Sequence, residues 1–543
     1  MKLKRILPLM LIVPLAACGK KGKEEPVNKG DLIIPDIDVE SMTINLPTKP
    51  VYNTGTMKSD DTYDYIDLYE VSDFHGAVNF RSGSEGAYLG LSKLSTYLKG
   101  KRALNEGGTL VLSSGDMFQG SAESNLTKGF MVNYAMQYMG FDAMAIGNHE
   151  FDWTDAWLKK NANLKYNTSS DPIPYLGANV YKKGTTELPD FLKASTIVER
   201  NGYKIGIIGT IGDELESSIL ASNVANYTFE AEAEIVAAEA ARLRSEESCN
   251  AVVWLAHEGL EEIPIVEGVD AIFGGHAHED KLDVQATPKV ATRNYGRSVA
   301  HIGLKFNKTT KACSYVDNSA KLETFSTEKA QGIADDTNVS AIIHEYDSEV
   351  NKVKNIRLAS TDVELEYNGV LKNICTETVF ETAVNEAKAH PESGIDPDKI
   401  VCSFHNVNGG IRDNIKPGEI TYGSVYAPFP FDNEVVLVKI KGSLLIKNLR
   451  LLSNLGCYRT FKDSSLFMRD GYYYIATTDF CAFSTSDSGI NGRIKSEVTE
   501  ADLTHTGKIV RDEVAKKIYK LDKIDPSRYA NTMDCFKSIP QIF

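Results

Sequence analysis

Short polar clusters, rich in histidine and carboxylate, follow five apolar runs in the first half of the chain. The runs read DLYEV, TLVLSSG, FDAMAIG, AVVWLA and VDAIFGG, and each is typical of a buried strand. The clusters contain Asp73, His75, Asp116, Asn148, His149, His257, His276 and His278. Carboxylate, amide and imidazole groups together suit zinc, manganese, cobalt or iron, and no thiolate is needed.

Each cluster alone has a simpler interpretation. A lone histidine after a strand is usually a turn residue, Asp73 or Asp116 could shape a turn, and Asn148 could cap a helix. Five clusters in order favour one shared site, because loops that follow parallel strands meet at one sheet edge. Two ions joined by a carboxylate would polarise phosphoryl oxygens and lower the pKa of a bound water. The pattern therefore predicts hydrolysis of a phosphoester.

The surrounding elements predict how these loops are held. From residue 64 to 326, strand-like runs alternate with amphipathic stretches such as YLGLSKLSTYLKG and EAEAEIVAAEAARLRSEE, which favours a layered α/β domain. A linking helix is predicted for residues 327–359. Residues 360–543 have strands of their own, including NEVVLVKIKG and YYYIATTDF, and predict a second, α+β domain.

The order of the motifs resembles that of calcineurin-like metallophosphoesterases, in the form of the 5'-nucleotidase family. The motifs are Asp-x-His-Gly, Gly-Asp-x-x-Gln-Gly, Gly-Asn-His-Glu-Phe-Asp, a later His, and Gly-His-x-His. The resemblance implies two divalent metals (Zn, Mn, Co or similar), with Asp116 bridging them. It implies that the first metal is bound by Asp73, His75 and His278, and the second by Asn148, His257 and His276.

The resemblance also implies roles for the remaining polar residues of GNHEFD. His149 would face the phosphate and stabilise the transition state, and Asp152 would hold its imidazole in place. Glu150 receives no role, and we predict it to be a surface carboxylate.

In the second domain the resemblance extends to about residue 495 and implies a nucleotide-binding site. Arg412, whose planar guanidinium suits phosphate, lies in NVNGGIRDN, where the family's asparagine corresponds to Asn406 or Asn408. Phe431 and Phe480 would enclose the nucleobase, and Asp487 would bind the ribose. The chain departs from the family at Thr376, where a second arginine is expected, and at Glu381-Thr382, which replaces a Gly-Asn pair.

The N-terminus carries an export signal. A basic start and the apolar run ILPLMLIVPLAA lead to Leu-Ala-Ala-Cys, which predicts a lipoprotein signal peptide over 1–17 and a lipid on Cys18. The simpler alternative is an ordinary signal peptide. Residues 18–63 are polar and predict a flexible tether. We therefore expect an exported protein, lipid-anchored to a bacterial membrane on its surface or periplasmic side.

The composition argues against one class of partner, and the sequence as a whole is compatible with three functions. The net charge of −15 argues against a nucleic-acid partner. The seven cysteines after Cys18 show no CxxC spacing, and the sequence assigns neither disulfides nor an oligomeric state. The candidates are a 5'-nucleotidase, a 2',3'-cyclic nucleotide phosphodiesterase with 3'-nucleotidase activity, and a lipoprotein that binds nucleotides without hydrolysing them.

Overall fold

The computed structural model describes residues 30–83, 86–407, 409–446, 457–459, 468–483, 489–490 and 498–529, with the backbone alone at 457–459. Its strands are β1 Tyr63–Glu70, β2 Thr109–Ser113, β3 Ala143–Ala145, β4 Tyr175–Leu176, β5 Val180–Lys182, β6 Ser195–Arg200, β7 Tyr203–Ile211, β8 Tyr227–Phe229, β9 Ala251–His257, β10 Ala271–Gly274, β11 Lys281–Asp283, β12 Lys289–Ala291, β13 Ser298–Asn307, β14 Cys313–Tyr315, β15 Lys321–Thr324, β16 Arg357–Thr361, β17 Ile400–Phe404, β18 Gly418–Thr421, β19 Glu434–Lys441, β20 Cys457–Arg459, β21 Tyr472–Thr478 and β22 Leu503–Ile509. Its α-helices are α1 Gly90–Arg102, α2 Ala122–Leu126, α3 Phe130–Met139, α4 Thr154–Ala162, α5 Ala221–Val224, α6 Glu232–Ser245, α7 Thr327–Gln331, α8 Thr337–Lys354, α9 Lys372–Ala389, α10 Tyr422–Tyr426, α11 Asp479–Phe483 and α12 Val510–Leu521.

Two sheets packed face to face form the first domain. One has the order β14-β13-β1-β2-β3-β4, with β15 beside β13, and the other has the order β11-β12-β10-β9-β7-β6. Ile66 and Leu68 of the first sheet share one core with Leu255 and Phe273 of the second. Helices cover the outer faces, α1 and α3 on the first sheet and α6 on the second. The predicted layered α/β fold is confirmed.

Parallel pairing sets the position of the polar loops. β1 pairs with β2 and β2 with β3 in parallel, and β7, β9 and β10 are likewise parallel. All seven residues of β9, AVVWLAH, are buried, as expected for a central strand covered on both faces. The carboxyl ends of β1, β2, β3, β9 and β10 therefore lie at neighbouring sheet edges, where the polar clusters begin.

A second domain follows α8. Its main sheet has the order β20-β17-β21-β19-β22, a smaller sheet pairs β16 with β18, and α9 and α12 pack against them. α8 buries Val339, Ile342 and Tyr346 in the core of the first domain, so this linking helix packs on that domain.

The segment before β1 lies along both domains. Leu32 and Ile34 pack against the second-domain core, whereas Val39 is buried in the first. Tyr52 donates its hydroxyl proton to the carbonyl of Tyr138 at 2.9 Å. The predicted flexible tether therefore contacts both domains through these side chains, whereas Ile33 and Val51 within it are exposed.

Two further features concern the described ranges as a whole. No helix in them is long and apolar enough to cross a membrane. Among the described side chains, Cys249, Cys313, Cys375 and Cys481 are free thiols.

Candidate active site

The loops bring all seven predicted metal-binding residues into one cluster. Ligand atoms of Asp73, His75 and His278 lie within 4.8 Å of one another, and so do those of Asp116, His257 and His276. Asp116 also forms such a group with His75 and His149, so it lies between the two sets. Asn148 Oδ1 is 3.2 Å from His257 Nε2 and 3.1 Å from His276 Nδ1.

Backbone strain is concentrated in this cluster. Five of its residues have φ between +48° and +61°: Asp73, His75, Asp116, His276 and His278. Residues other than glycine rarely adopt this left-handed region, and such strain is typical of functional sites. The sheet edges hold the loops in this conformation and thereby direct the side chains toward one another.

Backbone carbonyl groups orient two of the imidazole rings. His75 Nδ1 is 3.0 Å from the carbonyl oxygen of Gln119, and His257 Nδ1 is 2.7 Å from that of Ser114. Because a carbonyl oxygen only accepts, each Nδ1 carries a proton. The other ring nitrogen, Nε2, lies 4.0 Å from Asp116 Oδ2 in His75 and 3.2 Å from it in His257. In a neutral ring this Nε2 carries the lone pair.

The charges at the cluster suit a divalent cation. Burial would raise the pKa of Asp116, but His257 and His149 hold it well below its usual value. Burial, with His278, lowers the pKa of His75, and burial, with His257, lowers that of His276 to about 4. Asp116 Oδ2 is buried without a hydrogen-bond partner among the described residues. Burial would lower the pKa of His257, but Asp116 raises it to about 10. An ionised carboxylate with a spare oxygen, close to the neutral imidazoles of His75 and His276, fits a metal centre.

His149 and Asp152 form a pair beside this centre. His149 Nδ1 is 2.8 Å from Asp152 Oδ2, and its Nε2 is 4.0 Å from Asp116 Oδ2. Burial would lower the pKa of His149, but Asp152 and Asp116 raise it above its usual value. The pair therefore presents an oriented imidazole that can hold or give up a proton at Nε2.

A cavity of about 210 Å³ between the domains joins this pair to predicted substrate residues. Its lining includes His149 and Asp152 of the first domain, and Arg412, Phe431 and Phe480 of the second. The Phe431 ring stacks on His149 at 5.9 Å, and the Arg412 guanidinium lies 5.2 Å from the Phe431 ring centre. The structure thus places catalytic and base-binding candidates around one space.

The other residues singled out in the sequence are partly within and partly outside the described ranges. Asn406, one of the two asparagines considered for the family position, is buried and lines the cavity. Asn408 and Asp487 lie outside the described residues, as does Cys18. Thr376 is buried within α9, and its hydroxyl donates to the carbonyl of Lys372 at 2.9 Å, so this side chain is engaged inside its own helix.

Sequence reasoning was wrong about Glu150 and overlooked Gln119. Glu150 is 4% exposed, and its carboxylate accepts the backbone N–H groups of Gly147, Asp116 and Met117 at 2.7–2.9 Å. Gln119, which the motif contains without a role, is 3% exposed and lines the cavity. Sequence position could have indicated both residues, because Glu150 and Gln119 lie in the same loops after strands as the predicted metal ligands.

Comparison with known proteins agrees with this architecture. The family model for calcineurin-like phosphoesterases matches residues 67–280, and that for the 5'-nucleotidase C-terminal domain matches residues 368–468. The chain is 25% identical to a probable 5'-nucleotidase of Treponema pallidum over 62% of its own length and 65% of that protein. It is 27% identical to Protein UshA of Yersinia enterocolitica over 90% of its own length and 96% of that protein.

A solved structure shows that the fold is shared. A 5'-nucleotidase precursor from Thermus thermophilus superimposes with a TM-score of 0.65 at 19% identity, covering 85% of this chain and 97% of that one. Calcineurin-like phosphoesterases use divalent metals, and the residues present here fit such a centre. The chain therefore contains a calcineurin-like phosphoesterase domain and a 5'-nucleotidase C-terminal domain, and in its motif order and two-domain fold it is similar to the 5'-nucleotidases.

Proposed function

We propose that this chain hydrolyses nucleoside 5'-monophosphates to nucleoside and phosphate at a centre of two divalent metals. The observation that carries the proposal is the shared cavity. One space is lined by the His149–Asp152 pair, by Arg412 and by two phenylalanine rings that could hold a nucleobase.

Two sets of residues would bind the two metal ions. Asp73, His75 and His278 would hold one ion, Asn148, His257 and His276 the other, with Asp116 between them. When bound, such ions polarise phosphoryl oxygens and lower the pKa of water.

Substrate orientation and proton transfer would come from the chain itself. His149 Nε2 donates to the phosphoryl or leaving oxygen, while Asp152 fixes the opposite ring nitrogen. Arg412 offers its charge to the phosphate. Phe431 and Phe480 hold the base through stacking, which tolerates any base.

A second candidate, a 2',3'-cyclic nucleotide phosphodiesterase with 3'-nucleotidase activity, is favoured by a neighbouring cavity. This cavity has a volume of about 560 Å³ and is lined by His75, Gln119, Arg81, Arg297 and Arg412 among others. It gives room beside Arg412 for a nucleotide whose phosphate is carried on the 2' or 3' side of the ribose.

Turnover by the full-length protein, purified in detergent, tests the proposal. We expect phosphate release from AMP with added manganese or zinc and none after chelation. Comparing AMP with 3'-AMP and 2',3'-cyclic AMP separates the two candidates. A metal-loaded, folded protein that binds AMP and hydrolyses none of the three would instead be a binding lipoprotein.

We further propose that the protein is exported and lipid-anchored through Cys18. The support is the leader sequence, with its basic start, short apolar run and Leu-Ala-Ala-Cys box. Labelled palmitate should enter the protein expressed in a bacterial host. Cys18→Ala should abolish labelling, and retention of the label would refute the anchor.

A further inference from the structure

Gln119 has a buried amide group without a partner at the edge of the candidate active site. The residue is 3% exposed, and its Nε2 has no hydrogen-bond partner among the described residues. An amide N–H₂ removed from water without an acceptor costs free energy, so native proteins rarely leave one in place. An unpaired donor next to a catalytic cavity indicates an acceptor supplied from outside the chain.

The backbone fixes this side chain beside the metal-binding residues. The carbonyl oxygen of Gln119 is 3.0 Å from His75 Nδ1. The next residue, Gly120, donates its N–H to Asn125 Oδ1 at 2.7 Å. The position of the Gln119 amide is therefore set by the same loop that orients a predicted metal ligand.

Gln119 and Arg412 occupy the boundary between the two cavities. Both residues line the cavity of about 210 Å³ and the neighbouring one of about 560 Å³. The Nε atom of Arg412 is also buried without a partner among the described residues. Two residues with unsatisfied donors, one from each domain, thus line the cavity that His149 also lines. A phosphoryl group offers several oxygens that accept such bonds.

The inference also accounts for a departure from the family pattern. Thr376 stands where a second arginine is expected, and its hydroxyl bonds within α9. A donor on the first domain can supply the contact that this position of the second domain does not.

We propose that Gln119 is a catalytic residue whose side-chain amide donates a hydrogen bond to a non-bridging oxygen of the phosphoryl group, together with Arg412. This proposal rests on the proposed function, because it concerns the same reaction. The amide is neutral and already desolvated, so it can stabilise developing charge without reorganisation during the reaction.

The test is Gln119→Met, which keeps the side-chain length and removes the donor. We expect kcat/KM for AMP to fall on the order of 10²-fold. The affinity of the metal-loaded protein for inorganic phosphate, measured by calorimetry, should fall as well. Bound metal should stay at the wild-type level. The thermal midpoint should stay or rise, because an unsatisfied buried donor has been removed. Gln119→Leu serves as a second variant with the same expectation.

Gln137 provides a matched control. It is 1% exposed, and its amide donates to Asn133 Oδ1 at 3.0 Å and the Leu164 carbonyl at 2.9 Å and accepts from the Tyr166 N–H at 2.9 Å. Gln137→Met should lower the thermal midpoint and leave kcat/KM of the folded protein unchanged.

The outcomes separate this inference from the proposed function. Wild-type kcat/KM and wild-type phosphate affinity in both Gln119 variants would overturn the inference while nucleotide hydrolysis stood. A loss of stability and of bound metal in parallel with activity would also overturn it. If the wild type hydrolysed no nucleotide, the proposed function would fail, and phosphate calorimetry would still decide whether Gln119 binds a phosphoryl group.

Discussion

Asn148 and His149 are adjacent in the chain, yet their side chains contact different groups. Asn148 Oδ1 lies among the imidazoles of His257 and His276, whereas His149 Nδ1 is paired with Asp152. The short 3₁₀ turn Asn148–Phe151 makes the two side chains diverge. A metal ligand and a proton donor can therefore come from consecutive residues.

His149→Ala should separate these two roles. We expect kcat to fall by roughly 10²–10⁴-fold, as for loss of a positioned acid–base group, with the metal content unchanged. Steady-state kinetics and elemental analysis measure both quantities. Asn148→Ala is the counterpart and should lower metal occupancy instead. Loss of metal from His149→Ala would reverse the assignment of these neighbours.

Glu150 joins the loop of Asp116 to the loop of Asn148. Its Oε2 accepts from Gly147 and Asp116, and its Oε1 from Met117. In Glu150→Gln an N–H₂ group must face at least one of these N–H donors, because the three bonds use both carboxylate oxygens. The free energy of unfolding should decrease by about 1–3 kcal/mol. Urea denaturation measures this change.

Metal titration extends the test of Glu150. A displaced Asp116 loop should weaken manganese binding in Glu150→Gln. Glu261→Gln, at a surface ion pair with Lys281, is the control and should change neither quantity. Unchanged stability and manganese affinity in Glu150→Gln would show that the two loops hold their positions without this carboxylate.

At the scale of elements, the PFPF segment before β19 carries Phe431 to the first domain. Asn125 of α2 donates its side-chain amide to the Pro430 carbonyl at 2.8 Å. Arg511 of α12 donates to the Phe431 carbonyl at 3.2 Å. One turn is thus held by a helix from each domain, which fixes the ring over His149.

Phe431→Ala should affect nucleotides selectively. Loss of base stacking should raise KM for AMP by roughly 10- to 100-fold. KM for glycerol phosphate, which has no ring to stack, should change little. Comparing the two substrates in the same preparation is the measurement. An equal rise for both would mean that Phe431 acts through His149 or Arg412 rather than through the base.

At the scale of the whole molecule, ion pairs near the cavity join the domains. Lys128 Nζ of the first domain is 3.3 Å from Asp432 Oδ2 of the second, and Arg81 Nη1 is 2.8 Å from Asp413 Oδ2. Asp432 also pairs with the buried Arg511. Burial would raise the pKa of Asp432, but Arg511 and Lys128 lower it to about 2.

Asp432→Asn should destabilise the protein in a pH-dependent way. The pKa is lower in the folded state than its usual value of about 3.9, so ionised Asp432 stabilises the fold above that value. We expect a loss of about 2 kcal/mol at pH 7. The difference from wild type should shrink as the pH falls from about 4 toward 2. Urea unfolding across this range measures it.

Asp190, which pairs with Lys159 at the surface, gives the control for this prediction. Lys159 lowers the pKa of Asp190, but an exposed ion pair contributes little to stability, so Asp190→Asn should change the free energy of unfolding much less than Asp432→Asn at every pH. A stability difference for Asp432→Asn that persisted undiminished at pH 2 would contradict the linkage, because protonation would then have removed no interaction.

The sequence alone determined the fold class and the residues gathered at the sheet edges. Apolar runs mark buried strands, and a polar cluster after each strand can be read directly, because covalent order places it at the strand's carboxyl end. The motif order of His75, Asp116, Asn148, His257 and His276 therefore sufficed to predict a metal centre.

Only the tertiary structure decided which polar residues are buried and what they face. Glutamate and glutamine are usually surface residues. Glu150 and Gln119 are buried because their loops pack against loops that lie more than 30 residues away in the chain. The same holds for Phe431, which meets His149 because two domains close on one cavity. Burial and partners depend on contacts between distant segments, and a local pattern does not encode those contacts.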